Sequence, residues 1–231
     1  MTQARTLLAA TDFSAPARHA LERAAQLAEA HPGTRLTLAH IVSGSVLDAL
    51  RRMLPGDAAK LEEQLLARAE KNLDELATNL AAHYPCEINT LLAQGSASTA
   101  LVDLVETRQS DLLVMGTRGT HFVVQMLFGS TTERVLRKTR RPLLAVKQRP
   151  QAPYRRILAP VDFSNHAAAA INIAHAWLPD ADIVLLHAFE AEWESTFQLA
   201  GMDDSQIHEY RIHARDAAQG AMDAFIATLQ V

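Results

Sequence analysis

Leu7-Leu-Ala-Ala-Thr-Asp-Phe-Ser14 is an apolar run of strand length that closes on Asp and a helix-capping Ser, and it returns 150 residues later as Ile157-Leu-Ala-Pro-Val-Asp-Phe-Ser164. Such a run leading into a cap marks the start of a β–α unit, so its duplication predicts two related units. Each copy continues through an alanine-rich stretch into a second apolar strand that carries a histidine, Leu36-Thr-Leu-Ala-His40 and Ile183-Val-Leu-Leu-His187. The offset there is 147, so the second copy has a turn three residues shorter.

Outward from this start, apolar runs alternate with stretches of helical period through the first copy. Strands are predicted near 6–10, 35–42, 86–94, 111–116 and 142–147, and helices near 15–31, 58–83, 97–108 and 130–139. The order βαβαβαβαβ predicts a doubly wound, five-stranded parallel α/β sheet with right-handed crossovers. Ser14 followed by Pro16, and Ser96 after Gly95, read as helix starts, whereas His31-Pro32-Gly33 reads as a stop. A complete domain is expected over 1–147. The polar segment 148–155, with Pro150 and Pro153, reads as a linker. Residues 156–231 then hold only βαβα, a partial second copy with an open sheet edge.

The chain has 231 residues and one cysteine, Cys86, which excludes an intrachain disulfide and reads as a buried thiol. No window approaches the ~18 apolar residues of a membrane span, so a cytoplasmic protein without anchor or signal peptide is expected. Residues 1–147 carry 17 Lys and Arg against 15 Asp and Glu, and residues 148–231 carry 5 against 11, giving +2 and −6. That balance argues against a general nucleic-acid binder.

The sharpest motif lies between the fourth strand and the fourth helix. Gly116, two residues, Gly119, nine residues and Gly129 are followed by Ser130 and Thr131. A loop leaving the carboxyl end of a parallel strand borders the ligand crevice of such folds. Glycines there let backbone N–H groups approach a phosphate, and the helix opened by Gly129-Ser130-Thr131 offers N–H groups to an anion. Met115 reads as a pocket wall and Arg118 as a neighbour of the phosphates. Asp12 sits at the end of the first strand, where it could meet a ligand or cap the next helix. The ligand reading is preferred for Asp12. Capping is preferred for Asp162, whose unit lacks a glycine loop.

This frame, G-x2-G-x9-G-[ST], resembles the ATP-binding branch of the universal stress protein family at every motif position. The resemblance covers the first copy and continues into the second, as in tandem members. It implies an adenine nucleotide α-hydrolase-like sheet in which Thr11 and Asp12 meet the nucleoside, Val42 lines the adenine pocket and the glycine loop holds the phosphates. The ligand it implies is ATP, with Mg2+, or else ADP or AMP. It also implies a homodimer through the strand at 142–147; the alternative is that residues 151–231 cover that edge. A regulatory, nucleotide-binding stress protein is the leading expectation, against a slow ATPase or a scaffold that has lost its ligand. No Walker lysine or phosphoryl-transfer constellation is seen.

Other motifs are weaker. His208-Glu-Tyr-Arg-Ile-His213 has its histidines five apart, off one helix face, and is not read as a zinc site. Arg134, Arg137, Lys138, Arg140 and Arg141 read as a solvated helix end.

Overall fold

Six residues, Thr6–Thr11, form β1, and all but the first are buried. A strand covered on both faces requires a continuous apolar run, which Leu7-Leu-Ala-Ala supplies. The computed structural model describes residues 5–54, 56–117, 129–189 and 194–230. They divide into two units, Met1–Pro153 and Tyr154–Val231.

In the first unit β1 is followed by α1 (Ala15–Ala30), β2 (Arg35–Ser43), α2 (Gly44–Met53), α3 (Ala58–Ala81), β3 (Glu87–Gly95), α4 (Ala97–Thr107), β4 (Leu112–Gly116), α5 (Ser130–Leu136) and β5 (Leu143–Val146). The strands are parallel in the order β3-β2-β1-β4-β5, so the chain winds to one side of β1 and then crosses to the other. This is the five-stranded α/β sheet expected from the sequence. Ser14 caps α1 by accepting a hydrogen bond from the Ala17 amide at 3.3 Å, and Pro16 follows inside the first turn, where its missing N–H costs nothing. The helix α2 was not among the expected elements. It is ten residues long and buries only Leu47, shorter than the window over which a helical period is read.

Two apolar layers hold the sheet. On one face Leu8, Ala10, Ala39, Leu113 and Met115 pack with Leu101 and Val105 of α4 and Val135 of α5. On the other, near the carboxyl end of β2, Val42 packs with Leu47 and Ala69, with Phe13, Leu65, Leu66 and Leu92 around them. Leu8 and Leu113 are wholly buried, and each such side chain contributes about 1.5–3 kcal/mol relative to exposure.

The segment expected as a linker is fastened to α1. Arg23, itself buried, donates to the carbonyl of Ala152 at 3.0 Å and to Gln26 at 2.9 Å, while Arg149 pairs with Glu22 at 3.4 Å. A buried guanidinium requires acceptors, and this stretch of backbone supplies one. Cys86 is half-buried instead of fully buried; burial pushes its thiol above the ordinary range, with Glu29 adding to the effect.

The second unit holds β6 (Arg156–Pro160), α6 (Asn165–Trp177), β7 (Asp182–Leu186), α7 (Glu194–Leu199) and α8 (Asp204–Ile226). Its two strands are parallel. One face packs Ala159, Val161 and Ile171 against Phe225 of α8, while Leu158, Val184 and Leu186 on the other are half or more exposed. The α8 start is held by a reciprocal capping box between Asp203 and Gln206.

Candidate functional site

Because β1 lies between β2 and β4, the carboxyl ends of these strands border a crevice where the winding reverses, the usual ligand position in an open α/β sheet. A cavity of about 190 Å³ opens there. Thr11 and Asp12 reach it from the end of β1, Ala39 and Ile41 from β2, Met115 and Gly116 from β4, and Gly129, Ser130 and Thr131 from the start of α5. Ala17, Ala97, Leu101 and Thr132 complete its wall with Ala10.

Seven of the ten residues expected at the site therefore line one cavity: Thr11, Asp12, Met115, Gly116, Gly129, Ser130 and Thr131. Arg118 and Gly119 lie outside the described residues. Val42 is displaced from its expected place: it is buried among Leu47 and Ala69, on the face that packs α2 and α3, and its neighbour Ile41 lines the cavity. Strand side chains alternate between faces, so a shift of one residue exchanges a cavity wall for a core position.

The turn after β1 is fixed by its own hydrogen bonds. The Thr11 hydroxyl accepts from the Phe13 amide, and Asp12 Oδ1 accepts from the Ser14 amide, each at 3.0 Å. Asp12 thus performs a local backbone role and also lines the cavity, so the capping and ligand readings are compatible. Across the site, the Thr132 hydroxyl donates to the carbonyl of Gly116 at 2.9 Å, and the Gly129 amide donates to the carbonyl of Thr117. These bonds tie the start of α5 to the end of β4. The first turn of a helix carries N–H groups with no intrahelical acceptor, and Ser130 and Thr131 place that turn at the cavity.

Gly116 lines the cavity as expected and also meets a packing constraint. A Cβ built there would lie 2.9 Å from the carbonyl oxygen of Pro16 and 3.2 Å from the Ala17 nitrogen. Its missing side chain lets the end of β4 pass against the first turn of α1, a packing requirement that holds with or without a ligand. Gly129 has an extended backbone, φ −65° and ψ 153°, as the N-cap of α5. Any residue reaches that conformation, so its freedom is not the reason for glycine.

Sequence reasoning missed Ala10, Ala17, Ala39 and Ala97 and also Ile41, Leu101 and Thr132. Thr132 was legible as the third hydroxyl of Ser130-Thr-Thr132, whereas Ile41 shares a strand face with Ala39 and no local signal shows which face meets the cavity. The walls from α4 carried no local signal. Among the described residues no group of three His, Cys, Asp or Glu side chains is placed to hold a metal ion. His213 lies 3.8 Å from Glu209 on exposed α8. In the cationic run, Arg137 pairs with Glu133 at 2.8 Å and Arg141 with Glu106 at 3.3 Å.

The second unit repeats the turn. Asp162 Oδ1 accepts from the Ser164 amide at 3.0 Å, and Ser164 caps α6 by accepting from the Ala167 amide at 3.2 Å. Hydrogen bonds from the Ser164 side chain and backbone hold the Asp162 carboxyl below the usual carboxylate range. A depressed folded value means that this turn's contribution is present above the ordinary range and is lost as pH falls through the folded value.

Comparison with known proteins identifies the family of the first unit and the fold. The profile of the Universal stress protein family matches residues 3–147. A universal stress protein of Thermus aquaticus is 34% identical over 143 residues, 62% of this chain and 98% of its own length. One from Methanocaldococcus jannaschii is 29% identical over 96 residues, 41% of this chain; that match spans only 56% of the relative's length. Among solved structures, a universal stress protein from Archaeoglobus fulgidus superposes with a TM-score of 0.65 at 18% identity, covering 86% of this chain and 73% of that one. UspA from Lactobacillus plantarum superposes with a TM-score of 0.53 at 21% identity, over 64% of this chain and all of its own. At these identities the two structures show the shared fold.

Proposed function

This chain belongs to the universal stress protein family, and from that premise we propose that its first unit binds an adenine nucleotide, ATP in preference to ADP or AMP, and acts as a regulator in a stress response. The observation that carries the reading is the convergence of Asp12, Met115, Gly116 and the Gly129-Ser130-Thr131 helix start on one cavity, within a complete G-x2-G-x9-G-[ST] frame. The apolar wall of Ala39, Ile41, Leu101 and Met115 suits a base. The Asp12 carboxylate is an acceptor for sugar hydroxyls, and the helix start with its hydroxyls suits phosphate. The cavity, about 190 Å³, is below the ~300–1,000 Å³ of sites that enclose a drug-sized ligand, so the phosphates would extend from it toward Ser130. Mg2+ would arrive on those phosphates, the usual arrangement for that ion.

The second unit, residues 156–231, is in this reading a partial copy joined through 148–155, which keeps the aspartate turn without a glycine loop. One nucleotide per chain follows. Calorimetric titration with ATP, ADP, AMP and a pyrimidine nucleotide is expected to give one site, tightest for ATP. Two equivalent sites, or no preference for adenine, would refute it.

We also propose a homodimer through β5, which lies within the expected strand at 142–147 and forms one edge of the sheet. The carbonyls of Pro142 and Val146 accept from the amides of Leu113 in β4 and of Thr117 just after it, at 2.9 and 3.1 Å. Alternate residues of a strand bond to alternate sides, so Leu143 and Ala145 present the outer edge, and a two-fold partner would pair there. Light scattering is expected to give a dimer for the parent and a monomer for Ala145→Pro, which removes an outward donor. A parent that is monomeric across the micromolar range excludes the dimer.

A further inference from the structure

Phe13 has φ of 64° and Phe163 has φ of 61°. A bulky residue is disfavoured in this left-handed region, and a side chain persists there only where its surroundings hold it. Among the described residues only Gln109 shares the conformation without being glycine, and the two phenylalanines occupy the same place in the two units, between the aspartate and the capping serine.

What holds each one is a histidine from the next strand or just past its end: His40 lies within β2 and His187 directly follows β7. The Phe13 ring lies 4.2 Å from the His40 ring, centroid to centroid, tilted by 42°; the Phe163 and His187 rings are 4.2 Å apart and tilted by 36°. His40 Nδ1 is 2.8 Å from the carbonyl oxygen of Thr11, and His187 Nδ1 is 2.8 Å from that of Val161. A carbonyl oxygen only accepts, so Nδ1 carries the proton in both rings. Each histidine therefore grips its turn twice, by a donated hydrogen bond before the aspartate and a ring contact after it.

In the first unit the turn so held presents Asp12 to the cavity. His40 does not line that cavity. It lies between Ala39 and Ile41 in sequence, which reach the cavity from one face of β2, and strand alternation puts His40 on the other. We propose that His40 is a positioning residue of the nucleotide site: with Phe13 it forms a clamp that keeps the Thr11–Ser14 turn in its left-handed form and so fixes the Asp12 carboxylate for the ligand. The inference rests on the nucleotide reading above. His187 makes the same clamp on a turn that serves no glycine loop, and so provides an internal control.

The test is titration of the full chain with ATP, paired with hydrogen exchange of the ligand-free protein. His40→Ala is expected to raise the Kd about tenfold, the order of effect of one lost hydrogen bond. His40→Asn, whose Nδ2 stands as many bonds from Cβ as Nδ1 does, should restore most of the affinity, whereas His40→Phe keeps a ring but no donor and should stay weak. His187→Ala should titrate like the parent. The Phe13 and Ser14 amides should exchange faster in His40→Ala and be restored in His40→Asn. The clamp is overturned if His40→Ala keeps parental affinity while Asp12→Ala loses it, if His187→Ala weakens binding equally, or if Asn fails to rescue a folded protein. A parent that binds no ATP defeats the nucleotide reading, and unchanged exchange at Phe13 and Ser14 in His40→Ala then defeats the clamp as well.

Discussion

Gly116→Ala is expected to lower the stability of the first unit by about 2–3 kcal/mol, a fall in melting temperature on the order of 5–10 °C. The cause is backbone meeting backbone. The new Cβ would lie 2.9 Å from the Pro16 carbonyl oxygen and 3.0 Å from its carbon, and neither atom can swing aside as the tip of a side chain could. Relief requires moving the first turn of α1 or the end of β4, which pairs with both β1 and β5. Gly44→Ala is the control, since a Cβ there meets nothing closer than 3.5 Å. Thermal melts of the two variants with the parent separate the alternatives. A Gly116→Ala protein that melts like the parent but no longer binds ATP would mean that this glycine serves phosphate approach and not packing. A loss of both means that the turn of α1 which shapes the cavity through Ala17 has shifted.

Asp12→Ala is expected to weaken ATP binding by about 10–100-fold, the loss typical of a hydrogen bond to a charged group, while Asp162→Ala leaves the affinity unchanged. The two aspartates make the same local bond, each accepting a serine amide at 3.0 Å. They differ in what lies opposite. Asp12 faces a cavity also lined by Met115, Gly116 and the start of α5, whereas the shallow cleft beside Asp162 is lined by Pro160, Val161, His166, Leu186 and His187 with no glycine among them. Asp12→Asn retains an oxygen for the Ser14 amide and should fall between parent and alanine variant, which isolates the charge from the turn. Equal losses from Asp12→Ala and Asp162→Ala in calorimetry would exclude the single-site reading.

The limits of sequence reading show in particular residues. The strands, the helices α1, α3 and α4, and the parallel sheet were legible because each depends on a local pattern: continuous apolar runs for buried strands, a 3.6-residue period for helices, and Ser14, Ser96 and His31 as punctuation. The glycine frame was legible for the same reason, since it lies within one strand–loop–helix crossover. The helix α2 escaped because it is only ten residues long, too short a window for its period to be read beside the strand that runs directly into it.

Which neighbour each residue meets belonged to the tertiary structure alone. Ile41 and Val42 are adjacent apolar residues of one strand, and nothing in their identity tells which faces the cavity. That was decided by the crossing of the chain after β3, which sends α4 to the face of Ala39 and Ile41 and leaves α2 and α3 on the face of Val42. Gly116 lines the cavity as expected, but its packing against Pro16, a hundred residues earlier in the chain, could not be read from the motif. Burial of Arg23 and the grip of His40 on the Thr11 carbonyl likewise join residues 129 and 29 positions apart. Local sequence fixes the kind of element because backbone dihedrals and periodicity are local. The site was decided by packing, because its walls come from three strand ends and three helices that only the folded sheet brings within reach of one ligand.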